Sequence, residues 1–137
     1  MHPNEISGEI IAAAMKVHST LGPGLLESAY EVCLAYELTK MGHKVARQVE
    51  LPVVYEGVRL DAAYRLDLVV DDCVIVELKA VDSLLRVFEA QLLSYLRFSG
   101  KELGLLLNFK VVHFRDGIKR LVRSSSDSSL LRARAGK

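Results

Sequence analysis

The segment from Asp67 to Lys79 constrains the fold of this chain more than any other part of the sequence. Two short apolar, β-branched runs are joined by a polar loop, a pattern that predicts a β-hairpin. With a three-residue loop at 71–73, the facing pairs are Leu66 with Leu78, Leu68 with Val76, and Val70 with Val74. This register gives one wholly apolar face that can be buried against a helix. A two-residue loop would instead pair Leu66 with Glu77 and mix the faces.

The opposite face of the predicted hairpin carries charge. Asp67 faces Glu77 there, and Lys79 follows two residues later on the same side. Carboxylates in facing positions have Cβ atoms about 5 Å apart and repel, so a divalent cation between them would remove a cost. Lys79 could then stabilise a hydroxide or a developing negative charge. The alternative is an ordinary exposed charged face. Both flanking strands have the apolar composition of buried strands, which counts against this alternative.

Length and composition predict one globular domain. The chain has 137 residues, of which 50% are hydrophobic and 26% charged. Its apolar runs are too short to span a membrane, and no charged segment followed by an apolar one opens the chain. We therefore expect a cytoplasmic protein without a membrane partner. Residues 1–123 form the expected domain, and the basic, Ser-rich residues 124–137 are expected to form a flexible tail.

Charge is unevenly distributed along the chain. The net charge is +1, but residues 110–137 hold eight Lys or Arg against Asp116 and Asp127, so residues 1–109 are acidic. An acidic body with a basic flank suits a carboxylate-rich site beside an anion-binding surface. A solvated tail explains the last part of the flank equally well.

Apolar residues at helical spacing predict three helices. They cover residues 4–20, about 25–41 and about 84–98, the second ending at Gly42 and the third at Gly100. Asn4 is the expected N-cap of the first helix, and Asp82 or Ser83 that of the third.

Two of these helices carry polar residues on informative faces. Glu27 and Tyr30 share one face of the second helix, but Glu27 could equally cap the helix from position N3 if Gly24 is the N-cap. Gln91 and Tyr95 share a stripe of the third helix. A buried amide must be satisfied, so Gln91 is either held by a local partner or directed at the polar face of the hairpin.

The remaining segments predict strands. Residues 43–49 and 51–60 suggest two strands, the second interrupted by a turn at 56–57, and residues 103–109 suggest a strand buried on both faces. Residues 111–114 and 118–122 suggest a hairpin closed by Asp116-Gly117. The expected fold is α/β with α+β character. Its central mixed sheet is flanked by helices, with the Glu77 strand near the centre and a right-handed crossover through the third helix.

Several motifs together resemble a known family. The segment Gly24-Leu-Leu-Glu27-Ser-Ala-Tyr30 resembles the pattern of the GxxExxY proteins. Asp67, Glu77-Leu78-Lys79 and Gln91-Leu-Leu-Ser-Tyr95 resemble the core motifs of the PD-(D/E)XK nuclease superfamily, closest to its RecB-like branch. The resemblance covers residues 4–123 and implies a restriction-endonuclease-like core. Leu66 stands where many members have proline, a position that is tolerant in the superfamily.

The resemblance implies a metal site on the hairpin. Asp67, Glu77 and the backbone carbonyl of Leu78 would hold Mg²⁺ or Mn²⁺, which prefer oxygen ligands. Glu27 would reach in from the second helix as a further ligand, directly or through water.

The resemblance also assigns roles to residues around that metal site. Lys79 would orient or deprotonate the attacking water, and Gln91 would position Lys79 or the scissile phosphate. Tyr95 would support the site from one turn further along the third helix, and Tyr30 from the second helix. His18 is at most an outer member, because a histidine on an apolar helix face is more often a hydrogen-bonded core residue.

The predicted function is metal-dependent hydrolysis of phosphodiester bonds in nucleic acid, with DNA favoured over RNA. A different class of function stays open, in which the nuclease fold binds nucleic acid or a protein partner with little activity of its own. In a third hypothesis the acids are structural and the protein is a homodimer built on its apolar helices.

Overall fold

A computed structural model of the protein describes residues 1–123, apart from the side chains of residues 61–63. The predicted tail, residues 124–137, lies outside the described residues. The helices are α1 (Pro3–Leu21), α2 (Glu27–Lys40) and α3 (Arg86–Ser99), with a 3₁₀ turn at Phe114–Gly117. The strands are β1 (Val45–Tyr55), β2 (Val58–Val70), β3 (Val74–Lys79), β4 (Leu103–Asn108) and β5 (Ile118–Val122).

The described strands form one mixed sheet in the order β1-β2-β3-β4-β5. β3 and β4 are parallel and are connected through α3, whereas the other neighbours are antiparallel. The predicted fold class and the central position of the Glu77 strand are confirmed. β4 is buried along its whole length, as its continuous apolar run predicts.

Two hydrophobic clusters lie on the two faces of the sheet. The larger one joins α1 and α2 to one face, and the smaller one joins Leu92 and Leu96 of α3 to the other. A Cβ atom on Gly104 would lie only 2.9 Å from a methyl carbon of Leu92, so a glycine in β4 permits the close approach of α3.

The central hairpin has the register that the sequence predicts near its turn. Leu68 faces Val76 and Val70 faces Val74, and residues 71–73 form the turn. Asp71 and Asp72 adopt left-handed backbone conformations, with φ of 54° and 53°. Aspartate tolerates this region better than most residues.

The predicted apolar face is wrong at one position. Leu68 packs in the cluster under α1 and α2, but Leu66 packs in the cluster under α3. Opposite the residue between them, Gln48 of β1 has a φ of 52°, an irregularity that re-aims side chains in a strand pair. The β2–β3 backbone ladder also stops at Leu68. Asp67 therefore lies where β2 changes from one core to the other.

Other predictions need correction at their boundaries. The turn at Glu56-Gly57 is present, but it joins two long strands, β1 and β2, in place of the two expected at 43–49 and 51–60. The N-cap residues are His2 for α1 and Leu85 for α3, and the Leu85 side chain makes no capping hydrogen bond. The predicted N-caps at Asn4 and at Asp82 or Ser83 are therefore wrong. Gly42 and Gly100 follow α2 and α3 with positive φ, as predicted.

The predicted hairpin across Asp116-Gly117 is wrong. Residues 111–113 form no strand, and β5 pairs with β4 instead. A Cβ atom on Gly117 would collide with the carbonyl oxygen of Asn108. The glycine is needed for this close backbone approach and not for a hairpin turn.

A buried histidine holds three elements together at one edge of the molecule. Both ring nitrogens of His43 lie 2.6 Å from a carboxylate oxygen, Nδ1 from Asp71 and Nε2 from Glu9. Only the imidazolium ion can donate from both nitrogens, so His43 is positively charged. Burial would lower its pKa, but the bonds to Asp71 and Glu9 outweigh burial and raise the pKa. This Glu9-His43-Asp71 clamp ties α1 and the segment before β1 to the β2–β3 turn.

Within residues 1–123, no helix combines the length and the apolar character that a bilayer span requires.

Candidate active site

Asp67 and Glu77 lie side by side where the β2–β3 ladder ends. The backbone N–H of Asp67 donates to Oε2 of Glu77 at 2.9 Å, and the N–H of Leu78 donates to Oδ2 of Asp67 at 2.8 Å. Each carboxylate thus bonds to the backbone of the other strand in place of a ladder bond. The two acids are therefore on the same side of the hairpin, as the sequence predicts.

Neither carboxylate of this acidic pair is neutralised. Within the described side chains, no Lys, Arg or His nitrogen pairs with Asp67 or Glu77. Glu77 is 7% exposed, and burial together with the charge of Asp67 raises its pKa to about 8. Burial also raises the pKa of Asp67. Two ionised carboxylates this close are unfavourable by themselves, and either a proton on Glu77 or a bound cation relieves the repulsion.

Lys79 lies near the acidic pair without forming an ion pair to it. Its Nζ sits over the ring of Phe88 on α3, 4.5 Å from the ring centroid. The ammonium charge lowers the pKa values of both Asp67 and Glu77, although less than burial raises them. A cation–π contact thus positions the ammonium group and leaves its N–H donors available.

Glu27 reaches the end of β3 from the first residue of α2. Its Oε2 accepts a hydrogen bond of 3.0 Å from the backbone N–H of Ala80, directly after Lys79. The N-cap of α2 is Leu26, so Glu27 is at position N1 and not at N3. The capping alternative is therefore wrong, and Glu27 joins α2 to the site strand.

Tyr30 and His18 belong to the core beside this site. The Tyr30 hydroxyl donates to the carbonyl of Gly22 at 2.5 Å and accepts from the N–H of Leu25 at 3.0 Å, so it fixes the turn that precedes Glu27. His18 Nε2 lies 2.6 Å from the carbonyl oxygen of Val111. Neither side chain hydrogen-bonds to the acidic pair in the described part of the chain. His18 has the core role that its position on an apolar helix face favours.

Gln91 and Tyr95 lie on one face of α3 and line the same pocket. Gln91 is exposed, and its amide makes no hydrogen bond to any described residue. The expectation that this amide is buried is therefore wrong. Tyr95 is partly buried, and its pKa is raised by burial and then by the charges of Glu77 and Asp67. The Tyr95 phenol is therefore within electrostatic range of the acids.

Sequence reasoning missed a polar network behind Asp67. Glu31 of α2 is buried, and its carboxylate accepts from Arg47 Nε at 3.1 Å and from the Gln48 amide at 2.9 Å. The same Gln48 nitrogen lies 3.5 Å from Oδ1 of Asp67. Glu31 lies one turn after Glu27 on the same helix face. That four-residue spacing is the signal that could have identified Glu31.

A comparison with known protein families gives one match. The family model described as the PD-(D/E)XK nuclease superfamily matches residues 4–121. The chain belongs to the PD-(D/E)XK nuclease superfamily. No curated protein and no solved structure matched the chain. Membership in the superfamily indicates nuclease activity on nucleic acid, and PD-(D/E)XK nucleases typically use divalent metal ions.

The donor set of this PD-(D/E)XK protein fits a hard divalent cation. Oε1 of Glu77 accepts no hydrogen bond from the described residues, and Oδ1 of Asp67 has only the long contact to Gln48. Among the described side chains, which leave out residues 61–63, no cluster of three or more acidic, His or Cys side chains could hold a metal. Two carboxylates suit an ion such as Mg²⁺, which keeps several waters, better than an ion that needs a complete protein cage.

Proposed function

We propose that this protein is a Mg²⁺- or Mn²⁺-dependent nuclease that hydrolyses phosphodiester bonds of DNA. The observation that carries the proposal is the pair formed by buried Glu77 and half-buried Asp67, which has a positive side chain nearby but no ion-pair partner among the described residues. Structural carboxylates are normally paired or solvated, so an unpaired couple that is largely withdrawn from solvent is typical of a functional site.

Asp67 and Glu77 would hold the ion, with the Leu78 carbonyl and Glu27 completing its protein ligands. When bound, the ion supplies a nucleophile at neutral pH and offsets charge on the phosphate. Lys79 orients the attacking water with its N–H donors, which the contact to Phe88 leaves available. Gln91 would position Lys79 or the substrate phosphate, and its exposed amide, which makes no hydrogen bond to a described residue, favours the phosphate.

We further assign the chain to the GxxExxY group within the RecB-like branch. The motifs Gly24-x-x-Glu27-x-x-Tyr30 and Gln91-x-x-x-Tyr95 support this assignment. The bond from Glu27 to Ala80 and the bonds from Tyr30 to the preceding turn give two of these residues definite structural tasks. The preference for DNA over RNA rests on the same resemblance.

A cleavage assay tests the proposal. The purified protein is incubated with linear, circular and single-stranded DNA and with RNA, in Mg²⁺, Mn²⁺ or EDTA. We expect cleavage that requires a metal and falls at least about 100-fold in Asp67→Ala and in Lys79→Ala. Asp72→Asn is the matched control, because it removes an acid that is exposed in the β2–β3 turn and bonded only to Lys101. Equal cleavage by all four proteins would indicate a contaminating nuclease.

A second candidate function is binding without turnover, to nucleic acid or to a protein partner. Its supporting observation is the pKa of Glu77 at about 8, which leaves this ligand partly protonated near neutral pH. Steeply salt-dependent DNA binding without cleavage in either metal would favour this function over the first. A homodimer is compatible with both functions.

A further inference from the structure

A pocket lined by aromatic rings includes Tyr95, the residue of α3 on which the charges of the acidic pair act. It has a volume of about 340 Å³ and lies between α3 and the paired strands β1 and β2. The described residues that line it are Val53, Tyr64, Gln91, Ser94, Tyr95 and Phe98. Three of the six are aromatic, and Tyr64 and Phe98 are 44% and 45% exposed. Exposed rings around a cavity indicate a surface for a flat apolar ligand.

The position of this pocket connects it to the candidate active site. Tyr95 packs against the α3-side cluster that contains Leu66, the residue before Asp67. The charges of Glu77 and Asp67 act on the Tyr95 phenol, and so does the phenol of Tyr64. A ligand in the pocket would therefore contact a side chain that lies within electrostatic range of the acids.

The polar groups of the pocket select among flat ligands. The Gln91 amide offers a donor and an acceptor and is bonded to nothing in the described chain. Ser94 adds a hydroxyl group on the same helix. An aromatic slot with a free amide at its rim suits a ring that has hydrogen-bonding edges and a π-face.

We propose that this pocket binds an unpaired nucleobase of the strand that the acidic pair cleaves. The proposal rests on the proposed nuclease function and names its substrate class. A base inside a duplex is stacked on both faces, so only a single strand, a frayed end or a flipped nucleotide can fill the slot. The enzyme would accordingly prefer single-stranded DNA or DNA ends to the interior of a duplex.

A thermodynamic cycle tests the pocket without catalysis. Affinities of the wild type and Tyr64→Ala for a single-stranded oligothymidylate are measured in EDTA by fluorescence anisotropy, together with those for the same strand carrying abasic residues. We expect Tyr64→Ala to lose about tenfold or more in affinity for the base-bearing strand. For the abasic strand the two proteins should bind alike, because the base that meets Tyr64 is then missing.

Tyr36→Ala is the matched control, because Tyr36 is a 60% exposed tyrosine on α2 outside the pocket. It should bind both strands as the wild type does. Equal losses by Tyr64→Ala on both strands, or no loss on either, would overturn the base pocket. If Tyr64→Ala instead dissociates a dimer in sedimentation and keeps its DNA affinity, the pocket is an interface between two copies and the proposal is wrong.

The failure of this proposal can be separated from failure of the nuclease function. Metal-dependent cleavage by the wild type with no base-dependent effect of Tyr64→Ala would refute the pocket alone. A base-dependent effect without metal-dependent cleavage would keep the pocket and refute the nuclease.

Discussion

Asp67 in β2 and Asp71 just after it are four residues apart, yet their carboxylates have opposite surroundings. Asp71 shares a charged imidazole with Glu9, and its pKa is lowered, because its bonds to His43 and to the backbone of Lys44 outweigh burial. Asp67 faces a second acid, and burial raises its pKa. The clamp at Asp71 is complete within the described chain, whereas the acidic pair has no basic ion-pair partner among the described side chains. We interpret the clamp as a structural acid cluster and the acidic pair as the proposed functional one.

Replacing one acid in each cluster gives the largest expected contrast. Glu77→Gln should lower metal-dependent DNA cleavage at least about 100-fold, because a neutral amide is a poor ligand for a hard cation. At pH 9, above the Glu77 pKa of about 8, its stability in EDTA should be equal to or above that of the wild type, since a like-charge repulsion is removed. Asp71→Asn should do the reverse, with lower stability and cleavage within about twofold of wild type. Comparable losses of cleavage in both variants would erase the distinction.

Metal binding should stabilise the protein through the acidic pair only. At a concentration of Mg²⁺ or Mn²⁺ 100 times the dissociation constant, the free energy of unfolding should rise by about 2.7 kcal/mol. Thermal melts with and without EDTA measure this gain. His43→Gln should keep it and Asp67→Asn should lose it. If the metal raises the free energy of unfolding of Asp67→Asn as much as that of the wild type, the metal binds elsewhere.

Removing the imidazole should destabilise the fold without touching the acids at the site. His43→Gln should lower the free energy of unfolding by about 2 kcal/mol, because Glu9 and Asp71 lose their shared charged donor. Urea titration measures the change. His113→Gln is the control, since His113 is exposed and should change stability little. An unchanged free energy of unfolding in His43→Gln would mean that the clamp contributes nothing to stability.

The smallest expected effect is a pH dependence that belongs to the clamp. The pKa of His43 is raised above its ordinary value of 6.5, so its contribution to stability is complete below about pH 6.5. This contribution is lost as the pH rises through the folded-state pKa. The charged groups that act on the clamp are Glu9 from α1, Asp71 from the turn and the N-terminal amine, which lowers the pKa of Asp71.

Urea melts in EDTA between pH 6 and pH 9 check this dependence. The wild type should lose stability relative to His43→Gln over that interval, and the difference between the two proteins should shrink as the pH rises. A constant difference between them would show that the imidazole does not titrate there. Comparing the two proteins at each pH cancels the contribution of Glu77, which both share.

The sequence predicted the parts of the fold that depend on local pattern. The three-residue turn, the facing of Val70 with Val74, the parallel connection through α3 and the two helix-ending glycines all follow from periodicity and turn chemistry. The adjacency of Asp67 and Glu77 follows from the same register. These features are set by residues that are close in sequence.

The predictions that were wrong concern features that depend on contacts between distant segments. Gly117 indicates a hairpin until the approach of the Asn108 carbonyl is known, and that approach arises from β4 and β5 pairing. Glu27 has the spacing of a capping residue, but its partner is Ala80, 53 positions away. Leu66 changes core beside a backbone irregularity at Gln48 on another strand. Periodicity within one strand contains no information about such a neighbour.

The change of core within β2 has a mechanical consequence for the alignment of the site. A strand that buries only one face can slide by two residues and still present apolar side chains to the same helix. β2 cannot, because Leu66 and Leu68 are anchored in two different clusters on opposite sides of the sheet. A change of register would remove Leu68 from one hydrophobic cluster and Leu66 from the other. The two anchored leucines flank Asp67 and therefore fix its position along the strand.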